Sequence, residues 1–209
     1  MRRPVGREGR HRRVRRSRQQ RHRPEPPPPL RYPVFDLDGT LVDSDEALAA
    51  PLLALGVRRE DIAFGPLLAD QCASVGVTVE DYLARYDPTL ARPFAGVDQL
   101  LAGIERWSVC SHKARVSGHA ELERLRWSPE LALFAEDFGG ASKDLAPVLD
   151  ALHLQGSDVV FVGDTAHDRA CAQAVGATFV LAGWNPRAIP RPGDLVVARP
   201  QDVLDVLVG

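Results

Sequence analysis

Two apolar stretches that lead into acidic turns constrain the fold of this chain more than any other feature. Residues 34–37 form a short apolar run that carries Asp36 and begins just after Pro33. Residues 158–162 form a near-continuous apolar run that leads into Gly163 and Asp164. Such runs are typical of parallel strands that are covered by helices on both faces. We therefore expect a sheet buried inside the molecule.

Strand and helix patterns alternate along the rest of the chain. Further strands are predicted over residues 107–110, 178–182 and 195–198, and helices near residues 97–104, 118–126, 145–154 and up to 175, with one more helix at the end. This alternation predicts an α/β fold with a doubly wound, Rossmann-like parallel sheet. Ligands bind such sheets outside the carboxyl ends of the strands. Asp36, Ser111 and Asp164 fall at three such ends, so we expect them on one rim.

The segment that follows the first strand lacks the alternation of strands and helices seen in the rest of the chain. Residues 44–93 are predicted to be mainly helical and to form a small α-helical cap inserted after the first strand. The α/β core then comprises residues 32–43 and 94–209. Asp43 is followed three residues later by Glu46, which resembles a capping box. Asp43 is therefore interpreted as a helix cap.

The first 31 residues differ sharply from the remainder in charge. They contain twelve arginines and two glutamates, a formal charge of +10, so the other 178 residues carry −12. With a proline run and almost nothing to bury, residues 1–31 are predicted to be a disordered tail. The tail could bind nucleic acid or anionic lipid through its charge, or be an extension without function. The acidic remainder has no general affinity for nucleic acid.

Several classes of protein are disfavoured by composition. No apolar run approaches the roughly 18 residues that a membrane span needs, and no apolar region follows the arginines as in a signal peptide. The three cysteines are far apart and form no CxxC pair, which favours a reducing, cytoplasmic setting. The oligomeric state cannot be inferred from these features.

The residues around the first strand suggest phosphoryl transfer. Asp36 could attack phosphorus and form an aspartyl-phosphate. Asp38 could protonate the leaving oxygen and later deprotonate the attacking water. Gly39 would turn the chain and leave backbone N–H groups exposed to phosphate oxygens.

A second acidic group follows the 158–162 strand. Asp168 lies four residues after Asp164, one turn into the next helix, so three carboxylates would carry −3 near Asp36. A Mg²⁺ ion and the Lys143 ammonium would balance that charge. Ser111 would donate its hydroxyl to a phosphate oxygen.

Taken in order, these residues resemble the haloacid dehalogenase superfamily, particularly its phosphoglycolate-phosphatase-like branch with a small helical cap. The resemblance covers about residues 33–200, and its four motifs are Asp36-Leu37-Asp38-Gly39-Thr40, Ser111, Lys143, and Gly163-Asp164 with Asp168. It implies that Asp36 is the nucleophile and Asp38 the acid/base. It also implies that Ser111 and Lys143 bind phosphate, and that Mg²⁺ is held by Asp36, the Asp38 carbonyl, Asp164 and Asp168.

One departure leaves an assignment open. Asp144 follows Lys143 where such proteins usually have proline, so Lys113 is an alternative phosphate-binding lysine. Trp184 and Asn185 follow the 178–182 strand and could either line the pocket or only pack.

The expected function is Mg²⁺-dependent hydrolysis of a small phosphorylated metabolite. A sugar phosphomutase of the same fold would use the same two aspartates. A non-enzymatic protein that binds nucleic acid through its arginine-rich tail is the second alternative.

Overall fold

The computed structural model describes residues 30–64, 66–139 and 141–209. Within these ranges the strands, numbered in chain order, are β1 (Tyr32–Phe35), β2 (Val42–Asp43), β3 (Arg92–Pro93), β4 (Ser108–Cys110), β5 (Leu131–Leu133), β6 (Val159–Gly163), β7 (Thr178–Ala182) and β8 (Leu195–Val197). Six of them form one sheet in the order β5-β4-β1-β6-β7-β8, and all of its neighbouring pairs are parallel.

Helices connect these strands. In the described ranges the α-helices are α1 (Asp45–Ala54), α2 (Leu68–Val75), α3 (Val79–Leu83), α4 (Val97–Ala102), α5 (Arg115–Leu125), α6 (Ala146–Leu152), α7 (Ala166–Val175) and α8 (Val203–Leu207). The predicted doubly wound α/β fold is confirmed.

The sheet is covered on both faces. Val160 and Val162 of β6 belong to one hydrophobic cluster, whereas Val159 and Phe161 belong to another. Alternate residues of a strand point to opposite faces, so the near-continuous apolar run reflects burial on both sides.

The first strand lies two residues earlier than predicted. It pairs with β6 from Tyr32 onward, but with β4 only from Val34 onward. Pro33 is therefore the second residue of a central strand, located just before the pairing with β4 begins. Because β1 ends at Phe35, Asp36 is the first residue beyond it.

The segment predicted as a cap leaves and re-enters the core through two short strands. Val42 and Asp43 of β2 pair antiparallel with Pro93 and Arg92 of β3. Helices α1, α2 and α3 lie between them and share a small hydrophobic cluster around Leu52, Cys72 and Tyr82. The predicted helices are present; the division of the chain at residues 44–93 stays a prediction.

The interpretation of Asp43 as a helix cap is wrong. Asp43 lies in β2, and the residue that precedes α1 is Ser44, whose side chain makes no capping bond. Glu46 forms an ion pair with Arg59 instead of closing a capping box. The backbone pairing of β2 with β3 holds Asp43 one residue too early to cap the helix.

The N-terminal prediction needs one correction. Residues 1–29, nearly all of the predicted tail, lie outside the described residues. Arg31 was assigned to that tail, yet its backbone N–H donates to the Leu207 carbonyl (2.9 Å). Its guanidinium donates to Thr178 Oγ1 (3.0 Å) and to the Val206 carbonyl (2.6 Å). Arg31 is thus part of the folded core.

The state of the cysteines and the lengths of the helices bear on disulfides and membrane spans, the two features that the sequence disfavours. Cys72, Cys110 and Cys171 are free and buried. Among the described residues, no helix combines the length and apolarity needed to cross a bilayer.

Candidate active site

Three neighbouring strands each end at a predicted site residue. Asp36 follows β1, Ser111 follows β4 and Asp164 follows β6. All three line one cavity at the carboxyl edge of the sheet. The expected rim is therefore present.

A buried acidic cluster lies at the centre of this rim. Carboxylate oxygens of Asp36, Asp164 and Asp168 all lie within 4.8 Å of one another. Lys143 Nζ is 3.0 Å from Asp36 Oδ2 and 2.5 Å from Asp168 Oδ1. One ammonium thus faces three carboxyl groups, and their mutual repulsion is only partly offset.

The start of α7 fixes the position of Asp168. Thr165 precedes the helix, and its N–H and hydroxyl both donate to Asp168 Oδ2, at 2.9 and 2.6 Å. The Asp168 N–H in turn donates to Thr165 Oγ1 at 3.2 Å. This reciprocal capping uses one carboxylate oxygen and leaves Oδ1 for Lys143.

The three carboxyl groups differ in their affinity for protons. Burial raises the pKa of Asp36 to about 6, although Lys143 opposes the shift. Burial, followed by the charge of Asp36, raises the pKa of Asp164 to about 7. Burial also acts to raise the pKa of Asp168, but Lys143 and Thr165 outweigh it and hold that pKa below its ordinary value.

Ser111 and His112 complete the wall beside Asp36. Ser111 is 1% exposed, and its hydroxyl helps to oppose the rise in the pKa of Asp36. Burial, followed by the charge of Lys143, lowers the pKa of His112 to about 4, so its ring is neutral near pH 7.

Gly39 makes a left-handed turn directly beside Asp164. Its φ is +78°, and a Cβ at this position would lie 2.4 Å from Asp164 Oδ2. Glycine is therefore needed for both conformation and space. The N–H of Gly39 itself donates to the Val42 carbonyl at 2.8 Å. That the turn at Gly39 presents backbone N–H groups to a phosphate stays a prediction.

Trp184 and Asn185 brace the loop that carries the aspartates. Asn185 Nδ2 donates to Asp164 Oδ2 and to the Gly39 carbonyl, both at 2.8 Å. Trp184 Nε1 donates to the Thr40 carbonyl at 2.9 Å. Neither side chain is among those that line the cavity, so the packing alternative describes them better.

The two lysines of the chain occupy different places in this site. Lys113 Nζ lies 2.7 Å from Asp38 Oδ1, whereas Lys143 contacts Asp36. Both lysine side chains are almost completely buried. Each predicted catalytic aspartate therefore has its own ammonium.

Comparison with known proteins places this geometry in a family. The family model described as haloacid dehalogenase-like hydrolase matches residues 34–182. The chain belongs to this family. The match includes all four predicted motifs and excludes the first 33 residues.

Curated relatives of this haloacid dehalogenase-like hydrolase are phosphatases. A phosphoglycolate phosphatase of Xylella fastidiosa is 27% identical, and the alignment covers 76% of this chain and 82% of the relative. An N-acetylmuramic acid 6-phosphate phosphatase of Pseudomonas aeruginosa is 27% identical, and the alignment covers 85% of this chain and 95% of the relative. The predicted enzyme class, a phosphoric monoester hydrolase of this family, is confirmed.

Solved structures support the fold. A haloacid dehalogenase superfamily hydrolase of Geobacter sulfurreducens aligns with a TM-score of 0.64 and 19% identity, covering 85% of this chain and 96% of that one. A phosphatase of the superfamily from Thermococcus onnurineus aligns with a TM-score of 0.64 and 15% identity, covering 86% and 99%.

The donor set of this haloacid dehalogenase-like hydrolase suits a hard divalent cation. Asp36, Asp164 and Asp168 offer only carboxylate oxygens, which are the ligands that Mg²⁺ prefers. When ionised, the three carboxylates carry −3 and the Lys143 ammonium carries +1, so a divalent cation would balance the remaining −2. The buried carboxyl groups therefore fit Mg²⁺.

Two residues of the site were missed in the sequence. Glu121 of α5 is fully buried, and its Oε1 lies 2.9 Å from Lys113 Nζ. The Tyr86 hydroxyl donates to the same oxygen. The available signal was the position of Glu121 on the buried stripe of α5, beside Gly118 and Leu122. No pattern in the sequence pointed to Tyr86.

Proposed function

We propose that this protein is a Mg²⁺-dependent phosphatase that hydrolyses a small phosphorylated metabolite through an aspartyl-phosphate. One observation carries the proposal: Asp36 follows the central strand, contacts Lys143, and shares a buried cluster with Asp164 and Asp168. A carboxylate at this place can act as a nucleophile, because Lys143 opposes its protonation.

Asp36 attacks phosphorus in the first half-reaction. A new bond forms between a carboxylate oxygen of Asp36 and phosphorus, and the bond from phosphorus to the ester oxygen breaks. Asp38 donates its proton to the departing oxygen. In the second half-reaction Asp38 takes a proton from water, whose oxygen attacks phosphorus and releases Asp36 and inorganic phosphate.

The remaining residues bind and orient the phosphate. Lys143 and the Ser111 hydroxyl interact with phosphate oxygens, whose charge increases in the transition state. Because Gly39 has no side chain, the loop can pass close to Asp164. The turn at Gly39 is proposed to present backbone N–H groups of the loop to the phosphate. When bound by Asp36, the Asp38 carbonyl, Asp164 and Asp168, Mg²⁺ supplies charge neutralisation of the phosphoryl oxygens.

The cavity indicates where the rest of the substrate lies. Besides the acidic cluster, it is lined mainly by apolar residues of the inserted helical segment, among them Leu48, Leu52, Ile62, Phe64 and Leu68. We propose that this segment acts as a cap that covers the substrate and excludes water. The relatives named above, a phosphoglycolate phosphatase and an N-acetylmuramic acid 6-phosphate phosphatase, support a small phosphorylated metabolite as the substrate.

The decisive experiment measures phosphate release from 4-nitrophenyl phosphate and from a panel of phosphorylated metabolites. We expect activity with Mg²⁺ and none with EDTA. Asp36→Asn should abolish turnover, because an amide cannot form the acyl-phosphate. Asp43→Asn is the matched control, since Asp43 is an exposed aspartate of the adjoining strand and should retain activity.

Two results would count against the proposal. Full activity of Asp36→Asn would exclude the nucleophile, and activity that survives EDTA would exclude the metal. Interconversion of sugar-phosphate isomers with little free phosphate would identify a phosphomutase instead.

A further inference from the structure

A series of polar contacts joins Asp38, Lys113 and Tyr86, which line the cavity, to the buried Glu121 behind them. Lys113 Nζ lies between Asp38 Oδ1 (2.7 Å) and Glu121 Oε1 (2.9 Å). Tyr86, located between α3 and β3, donates its hydroxyl to Glu121. The series therefore joins three residues of the α/β core to one residue of the inserted helical segment.

The arrangement is costly as a purely structural element. The Lys113 side chain is 2% exposed and that of Glu121 is 0% exposed, so both charges have lost their hydration. Glu121 Oε2 is buried and has no hydrogen-bond partner among the described residues. Replacing such ions with apolar side chains is often neutral or stabilising, and an unpartnered buried acceptor adds a further penalty.

Asp38 gains a fixed orientation from these contacts. Its side chain is 21% exposed, more than that of Asp36 at 8%, and it faces the cavity. An acid/base has to meet first the departing oxygen and then the attacking water, and small displacements reduce its effect strongly. Lys113 Nζ is the observed partner of the Asp38 carboxylate, and Glu121 is a second partner of Lys113 Nζ.

Tyr86 contacts both members of this support. Its hydroxyl reaches Glu121, and Lys113 Nζ lies 5.0 Å from the centre of its ring. Because Tyr86 belongs to the inserted segment, its contacts with Glu121 and Lys113 form only when that segment is seated on α5.

We propose that Glu121 and Tyr86 are positioning residues that hold Lys113, and through it Asp38, so that proton transfer to the leaving group depends on the seating of the inserted helical segment. The inference rests on the proposed phosphatase function, in which Asp38 is the acid/base. It assigns a task to the second lysine of the chain, distinct from phosphate binding by Lys143.

The test compares two substrates of similar shape that differ in their need for a proton. Phenol resembles the tyrosine side chain, with a pKa of about 10, whereas 4-nitrophenol is a much stronger acid. Phenyl phosphate therefore needs the general acid, and 4-nitrophenyl phosphate needs it much less. The ratio of their kcat/KM values reports proton transfer, and a general loss of structure would not change it.

Tyr86→Phe and Glu121→Gln are the informative variants, because each keeps the shape of the side chain. We expect each to lower kcat/KM for phenyl phosphate about tenfold more than for 4-nitrophenyl phosphate, a fraction of the full effect of a general acid. Asp38→Asn should show the same preference more strongly. Tyr82→Phe is the control, because the Tyr82 hydroxyl donates to the Leu48 carbonyl within the inserted segment, and it should leave the ratio unchanged.

The outcomes separate the two proposals. If Asp38→Asn changes the ratio but Tyr86→Phe and Glu121→Gln lower both substrates equally, the positioning role is overturned and the phosphatase stands. If Asp38→Asn leaves the ratio unchanged, the acid/base assignment itself fails, and the positioning role with it. Tyr86→Phe removes a single hydroxyl, so it can decide the matter even if Glu121→Gln does not fold.

Discussion

Both lysines of this chain are buried and form ion pairs with carboxylates. The sequence has two lysines against twenty-four arginines, and both lysines are buried at the candidate site. Lys143 meets Asp36 and Asp168, whereas Lys113 meets Asp38 and Glu121. A compact ammonium fits between two carboxylates, where the planar fork of arginine would need more space.

The raised pKa values of two aspartates lead to a prediction about Mg²⁺. Burial raises the pKa of Asp36 to about 6 and that of Asp164 to about 7. Each therefore favours the folded state below about pH 4, and that contribution is lost as the pH rises through 6 to 7. Protons and Mg²⁺ compete for the same oxygens. We expect Mg²⁺ to raise the melting temperature more at pH 8 than at pH 5.5, as measured by scanning fluorimetry.

The size of the shift and its control follow from linkage. At a Mg²⁺ concentration one hundred times the dissociation constant, binding stabilises the fold by about 2.7 kcal/mol. Asp164→Asn should remove most of the shift at pH 8, because it removes one carboxylate from the cluster. Equal shifts of the wild type at both pH values would contradict the competition.

Residues of the motifs were predictable because their chemistry depends on local spacing. Asp36, Asp38, Asp164 and Asp168 each stand next to a strand end or a helix start that the apolar pattern reveals. Glu121 and Tyr86 were not predictable in the same way. They are 35 positions apart, and only the packing of the inserted segment against α5 brings them together.

At the scale of elements, most strands of the main sheet were predicted, including the three-residue strands β4 and β8, but three short strands were not. Strand β7 has the predicted bounds, whereas β2, β3 and β5 contain two or three residues each and were missed. A strand of two residues, such as β2 or β3, is too short to show an alternating pattern in the sequence. Its presence is evident only from its pairing with a neighbouring strand. The same limit explains the error at Asp43, whose pairing with β3 outweighs its local resemblance to a helix cap.

Helix α5 contains a glycine whose role is steric. A Cβ at Gly118 would lie 2.2 Å from Cε1 of Phe134, which is fully buried. Gly118→Ala should gain up to about 1 kcal/mol in helix propensity but lose about 1–3 kcal/mol to overpacking. We expect a net loss in the free energy of unfolding, measured with urea. Glu123→Ala on the exposed side of α5 is the control, and a more stable Gly118→Ala would show that Phe134 can move.

For the molecule as a whole, the beginning and end of the described chain are joined at Arg31. Its three hydrogen bonds reach β7 and α8, and Tyr32 next to it opens the central strand. The sequence-based boundary lies one residue late, because Arg31 continues an arginine-rich stretch and nothing in the local sequence marks its hydrogen bonds to distant residues.

Removal of this junction should weaken the whole fold. Arg31→Ala deletes two charge-assisted bonds and is expected to lower the free energy of unfolding by about 1–3 kcal/mol. Arg199→Ala is the matched control near the same end of the chain, since Arg199 pairs with Asp202 at the surface and should change stability little. Equal effects of the two substitutions would show that Arg31 adds no more than a surface charge.

The distribution of lysine also has a practical consequence for chemical labelling. Apart from the α-amino group, both amines that an acylating reagent could modify are enclosed by carboxylates at the base of the cavity. Both lysine side chains are therefore shielded by burial and by ion pairs, and they should be acylated much more slowly than an exposed lysine. Ligands that fill the cavity should slow their acylation further, because both lysines line it.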